Sequence, residues 1–241
     1  MLILILLILT SFLTYIFYFL ELKVLTPKRI QWITTFSGAY LLGLTFIHIL
    51  PEIFGQGHHH HHHDHGESIS AMRIGIFVFL GFFIQLLLDY FSKGIEHGHA
   101  HKSVGWTVVV ALSIHSYIEA IPIFSNQDHQ HEQLMLGILL HKLPVAIVLA
   151  NILKKDQQNR SKSLILITLF VLSAPLGILS GYSFSSFQAF HKEILALVVG
   201  LLLHISTTIL FESSSDHSIK LPKLLAILVG FGMSFLLIIN H

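Results

Sequence analysis

His115 and Glu119 stand four residues apart in "ALSIHSYIEAIPIF", within an otherwise apolar run. At helical spacing this puts an imidazole and a carboxylate on one face, one turn apart. Such a pair can bind one divalent cation; it can equally bridge two helices as a polar contact, for which either residue alone would suffice. Pro122 frees a backbone carbonyl near residue 118, which is a further oxygen ligand or a point of bending. Further on, "GILLHKLPVAIVLA" sets His141, Lys142 and Pro144 in the middle of another apolar run. Lys142 is about ten residues, ~15 Å, from either end of that run, too far for its stem to carry the ammonium to water. It needs an internal partner, and Glu119 is the nearest by depth. A charge at the bilayer centre costs about 2.5–3.5 kcal/mol on insertion scales, so each such residue is a candidate for function.

Other polar residues are less decisive. In "FIHILPEIF", His48 and Glu52 share a helical face, which suits a cation entrance, while Pro51 and Glu52 would serve as well simply to end the helix. His204 in "LLLHISTTILFESSSDH" reads as a hydrogen-bonded packing histidine at least as well as a ligand. Gln85 and Asp89, again four apart, are accounted for by solvation or helix pairing.

The elements that must hold these residues follow from composition. Of 241 residues, 53% are hydrophobic and 11% charged, with a mean hydropathy of +0.73, far above a soluble domain. Apolar runs of about 20 residues recur, each long enough to cross a ~30 Å hydrocarbon core. The fold class is all-α, a polytopic membrane bundle in which residues 1–241 form a single domain. Breaks in the apolar runs give eight spans: 1–22, 32–54, 71–91, 105–124, 133–153, 163–182, 191–212 and 222–240. The first lacks a basic leader and a small-residue cleavage site and reads as a retained helix rather than a signal peptide. With both termini outside, the odd loops hold 11 of the 14 basic residues, namely Lys23, Lys28, Arg29, Lys93, Lys102, Lys154, Lys155, Arg160, Lys162, Lys220 and Lys223. The even loops hold only Arg73 and Lys192, so the positive-inside rule favours that orientation. The absence of cysteine excludes disulfides, thiolate metal sites and cysteine nucleophiles. A net charge of +1 argues against nucleic acid as a partner.

Nineteen histidines are a large excess and point to transition metal. Two clusters lie in loops. The outward segment 55–70 carries His58, His59, His60, His61, His62, His63, Asp64 and His65, and the cytoplasmic segment 93–104 carries His97, His99 and His101. Runs of adjacent imidazoles in Gly-rich loops impose no coordination geometry, so their expected role is weak, fast capture of cations at an entrance and acceptance at an exit. A purification tag would also produce His58 to His63; the adjacent Asp64 and His65 and the spaced histidines of the second cluster favour a native metal-rich loop.

Taken together, "HILPE", the His-rich third loop, "HSYIEA", "HKLPVA" and "SAPLGILSG" on an eight-span frame resemble the ZIP (Zrt/Irt-like) family of divalent metal transporters over nearly the whole chain. The resemblance implies import of Zn²⁺, Fe²⁺ or a related cation into the cytoplasm, through sites at the centre of the bundle. By position it implies His115, Glu119 and His141 as metal ligands and Pro144 as the helix kink. The chain departs from the family pattern at Ser116, Lys142, Val145 and Ala174, chiefly at the second metal position. That position loses its ligands and gains an ammonium, so Lys142 is expected to stand in for the second cation at a mononuclear site. At an effective dielectric near 20, a divalent ion within a few ångströms of that ammonium is repelled by several kcal/mol, on the order of what a site must overcome to bind it.

Two histidines and a carboxylate suit Zn²⁺ as the transported substrate, with Fe²⁺ and Mn²⁺ as alternatives. Divalent metal ions and the lipid bilayer are the expected partners, and a homodimer is compatible with the sequence. The expected location is a bacterial inner membrane or a plasma membrane. An intramembrane zinc hydrolase is an alternative, since three ligands and an open position also describe a catalytic site. No H-E-x-x-H occurs, and once Glu119 is a ligand no clear general base remains, so the chain is not read as an enzyme. A non-transporting metal sensor is a third reading, raised by the altered second site.

Overall fold

The computed structural model describes residues 2–20, 26–55, 65–93, 104–124, 130–155, 159–212 and 221–239. His58 to Asp64 and His97, His99 and His101 lie outside them, whereas residues 65–70, expected in the outward loop, are described as the start of a helix. Nearly all the described residues are helical, and none of them forms a strand. The helices are α1 (Leu2–Phe19), α2 (Pro27–Leu44), a π-helical turn (Thr45–Ile49), α3 (Leu50–Gly55), α4 (His65–Lys93), α5 (Val104–Ala120), a 3₁₀ turn (Ile121–Phe124), α6 (Gln130–Lys155), α7 (Arg160–Ser183), the short α8 (Ser185–Ala189), α9 (His191–Glu212) and α10 (Leu221–Ile239). Among the described residues, six segments are long and apolar enough to cross a membrane: Lys28–Phe54, Ala71–Ser92, Trp106–Ile123, Met135–Lys154, Arg160–Ser183 and His191–Phe211. The expected first and last spans appear as the shorter apolar segments Leu9–Phe19 and Leu221–Leu236.

Local chemistry explains where several elements begin and bend. Thr26 caps α2 by accepting from the Arg29 amide, with Pro27 at the first helical position, so the helix starts five residues before the sequence predicts. Asn159 caps α7 by accepting from Ser161. Pro144 stays inside α6, where it deprives the Leu140 carbonyl of its usual partner. Ser37 of α2, almost fully buried, donates its hydroxyl to that carbonyl at 3.3 Å. A bent helix in an apolar surround is tolerable because a neighbour supplies the missing hydrogen bond.

The helices pack as two sets. In one, α5 lies along α7 and α1 along α6, with α1 also touching α7; in the other, α4 lies along α9 and α2 along both α10 and α9. The contacts that join the sets are chiefly α2 with α6 and α4 with α5. Within a set some backbones touch. A Cβ at Gly81 would lie 1.9 Å from the Leu197 carbonyl oxygen, and one at Gly177 would lie 2.2 Å from that of Tyr117. Across the α2–α6 seam, by contrast, a Cβ at Gly137 would first meet the tip of the Leu44 side chain. Close backbone packing at small residues ties α4 to α9 and α5 to α7, whereas at Gly137 side chains fill the seam.

Burial is inverted relative to a soluble protein. Met72, Phe79 and Tyr90 on α4 and Ile165, Leu172 and Leu179 on α7 are exposed, while Gln85, His115, Ser116, Glu119, His141 and Lys142 are buried. This pattern suits a hydrocarbon surround.

Gly81→Val should lower stability by about 1–3 kcal/mol through overpacking against α9, read as a fall in the unfolding midpoint in detergent. Gly232→Ala, where a Cβ meets nothing within 4 Å, should leave the midpoint unchanged.

Candidate metal centre

α5 contributes His115, Ser116 and Glu119, and α6 contributes His141 and Lys142. Their level in the bundle is set by the apolar residues on either side. On α5 the polar stretch runs between Val109, which belongs to one buried apolar cluster, and Ala120 and Ile123, which belong to another. On α6 the same two clusters take Ile138 on one side and Leu149 and Leu153 on the other. The polar residues therefore form a layer sealed at both ends by hydrocarbon, in which every interaction is stronger than in water.

One turn of α5 brings His115 Nε2 to 3.0 Å from Glu119 Oε2. The His141 ring stands 5.7 Å from that of His115, centroid to centroid, and nearly perpendicular to it. One ligand atom from each of the three lies within 4.8 Å of the others, and among the described residues they are the one group of three or more such side chains placed to hold a metal ion. A tetrahedral zinc with bonds near 2.0–2.1 Å wants its ligands about 3.3 Å apart, a difference that side-chain rotation covers. The unmet bonding capacity is concentrated here. His115 Nε2, Glu119 Oε2 and both ring nitrogens of His141 are buried and make no hydrogen bond. Unpartnered buried donors and acceptors cost about 1–3 kcal/mol each, and a divalent cation bound among them would engage three of the four atoms.

The other oxygen of Glu119 is occupied. Lys142 Nζ donates to Glu119 Oε1 at 2.5 Å and to Ser116 Oγ at 2.6 Å. This is the partner that depth alone suggested for Lys142. Ser116 is its second acceptor, which sequence reasoning missed although the residue was already marked as unusual. The ammonium thus engages the carboxylate oxygen that His115 does not face. On α4, Gln85 Oε1 is 3.1 Å from His115 Nδ1, and Gln85 Nε2 donates to Asp89 at 3.2 Å. The expectation of helix pairing for Gln85 holds, but its contact with a ligand was not anticipated. An amide deep inside an apolar helix was the signal available.

The remaining candidates lie elsewhere. His48 is in the π-helical turn that interrupts the second span, and its Nε2 sits 3.3 Å from the Ser234 carbonyl of α10. Neither it nor Glu52 joins the group of three. His204 packs edge-on against Phe82 and places Nδ1 3.5 Å from Asp89, a packing histidine in the described geometry. His65 is the first residue of α4.

A sequence profile of the family described as ZIP Zinc transporter matches residues 1–103 and 91–238. No curated protein matches the chain.

Lys142→Met should destabilise the metal-free protein by about 3–5 kcal/mol, because the Glu119 carboxylate is left buried and uncompensated. Adding Glu119→Gln to that variant should recover most of the loss. Denaturant unfolding of the two single variants and the double variant checks this as a cycle.

Proposed function

The chain belongs to the ZIP zinc transporter family, and from divalent metal transport as the premise we propose that it imports Zn²⁺ through a mononuclear site made by His115, Glu119 and His141. The observation that carries this reading is the buried trio itself: two imidazoles and a carboxylate with unpartnered atoms turned toward one another. Nitrogen and oxygen ligands in this ratio suit Zn²⁺, and Fe²⁺ and Mn²⁺ fit the same donors. Lys142 supports a single ion. Held against Glu119 Oε1 and Ser116, it puts a positive charge beside the trio at the residue where the family resemblance implies a second-site ligand.

The proposed topology has eight spans with both termini outside. Helices α1 and α10, at 18 and 19 residues, are about 27–29 Å long, close to the hydrocarbon thickness, and the distribution of basic residues favours this orientation. The cation enters past the loop of His58, His59, His60, His61, His62, His63, Asp64 and His65 and past His48 and Glu52, binds at the central trio, and leaves toward His97, His99 and His101. Access alternates as the set that carries the ligands (α1, α5, α6, α7) rocks against the other. The tight backbone seams within the sets and the side-chain seam between α2 and α6 support that division.

In proteoliposomes the wild-type protein should take up Zn²⁺ and retain one equivalent per chain after purification. Glu119→Ala should abolish uptake, and deletion of residues 58–65 should chiefly raise KM. Full uptake by the Glu119 variant would overturn the site; two equivalents of zinc in the wild type would overturn its mononuclear character.

A further inference from the structure

We propose that Gln85 is a positioning residue that fixes the ring tautomer of His115 and so keeps the Nε2 lone pair turned toward the metal. This deepens the site reading above and rests on it. Gln85 is buried on α4, a helix that contributes none of the three ligands. Its side-chain amide has one end that only donates and one that only accepts. Asp89, one turn on and about 29% exposed at its side chain, has a carboxylate that only accepts when ionised. The amide nitrogen must therefore face Asp89, and it donates to Oδ1 at 3.2 Å. The amide oxygen is left facing His115 Nδ1 at 3.1 Å.

An oxygen at that place requires a hydrogen on Nδ1. In a neutral imidazole the other nitrogen then carries the lone pair. That nitrogen faces Glu119 Oε2 at 3.0 Å, the carboxylate oxygen that Lys142 does not take, so its lone pair is turned toward the place where a cation would lie. A reversed amide would instead donate to Nδ1, force the hydrogen onto Nε2 and block coordination by His115. Asp89 prevents the reversal. Through one amide, a partly exposed carboxylate thus sets the state of a ligand in the sealed layer, by the outer-shell logic that orients metal-bound histidines.

The test reads the tautomer directly in metal-free protein. Nitrogen-15 NMR of the histidine side chains in lipid nanodiscs, with His115 assigned by its loss in His115→Ala, should show the Nδ1–H form in the wild type. Gln85→Leu should lose it, and calorimetry with Zn²⁺ alone should show affinity lower by about 10–100-fold. An Nε2–H wild-type spectrum overturns the proposal, as does an unchanged tautomer in Gln85→Leu. The wild-type spectrum decides even if Gln85→Leu does not fold. It also decides independently of the metal reading, which fails separately if wild-type protein binds no Zn²⁺.

Discussion

The buried ion pair of Glu119 and Lys142 is the constraint to which the rest of the structure answers. A lone carboxylate in hydrocarbon is prohibitive, and a lone ammonium is no better. Placed together with Ser116 as a second acceptor, they bring the net charge of the layer to zero while leaving Glu119 Oε2 uncommitted. The pair also joins α5 to α6, so the two helices that supply the ligands are held in register by the group that neutralises them. Ligand geometry and charge balance are therefore one device. The apolar clusters on either side keep water from replacing any part of it.

Holding such a layer at the centre of a bundle makes demands on the backbone. Pro144 lies two residues beyond Lys142 and leaves the Leu140 carbonyl open, and Ser37 reaches across from α2 to satisfy it. That hydrogen bond and the contact of Gln85 with His115 both cross between the two helix sets. Each is a single polar contact over an otherwise side-chain-packed seam. Polar contacts at a seam specify one arrangement without welding it, whereas Gly81, Gly177, Gly200 and Gly230 bring backbones within a set into close approach. In the proposed rocking motion, the tightest packing would lie where helices move together.

Much of this was legible in the sequence, because spacing and hydropathy act locally. The four-residue interval from His115 to Glu119 had only one helical meaning, and the depth of Lys142 left it few partners. What resisted reading was whatever depends on contacts between helices distant in sequence. Ser37 and Ser116 are small polar residues of the kind found throughout membrane helices, and nothing local marks one as a carbonyl cap and the other as a lysine acceptor. Gln85 read as a residue for solvation or helix pairing, with nothing to single out His115 as its partner. The π-helical turn at Thr45–Ile49, which shifts the phase of His48 relative to the helix before it, leaves no clear trace in the apolar pattern. The tight contacts of Gly81 and Gly200 between α4 and α9 likewise leave no local mark that separates them from Gly232, where a Cβ would meet nothing within 4 Å.

A transport site must bind its ion and then let it go, and the lysine bears on that balance. With Glu119 and Lys142 as its two charges, the site is neutral before a divalent ion arrives and carries two positive charges afterward. A site with a carboxylate in place of Lys142 would begin at minus two and end neutral. The first arrangement binds more weakly by the repulsion between ion and ammonium, several kcal/mol at an effective dielectric near 20 and a few ångströms. Two imidazoles offset part of that through coordination without adding charge. In the proposed site, Lys142 holds Oε1 and leaves Oε2 for the ion, so neither would need to displace the other completely. The carboxylate could then shift its share from one cation to the other. On that reading Lys142 is a resident counterion that stabilises the empty layer and would limit how deep the loaded state is, which is the property a carrier needs at the midpoint of its path.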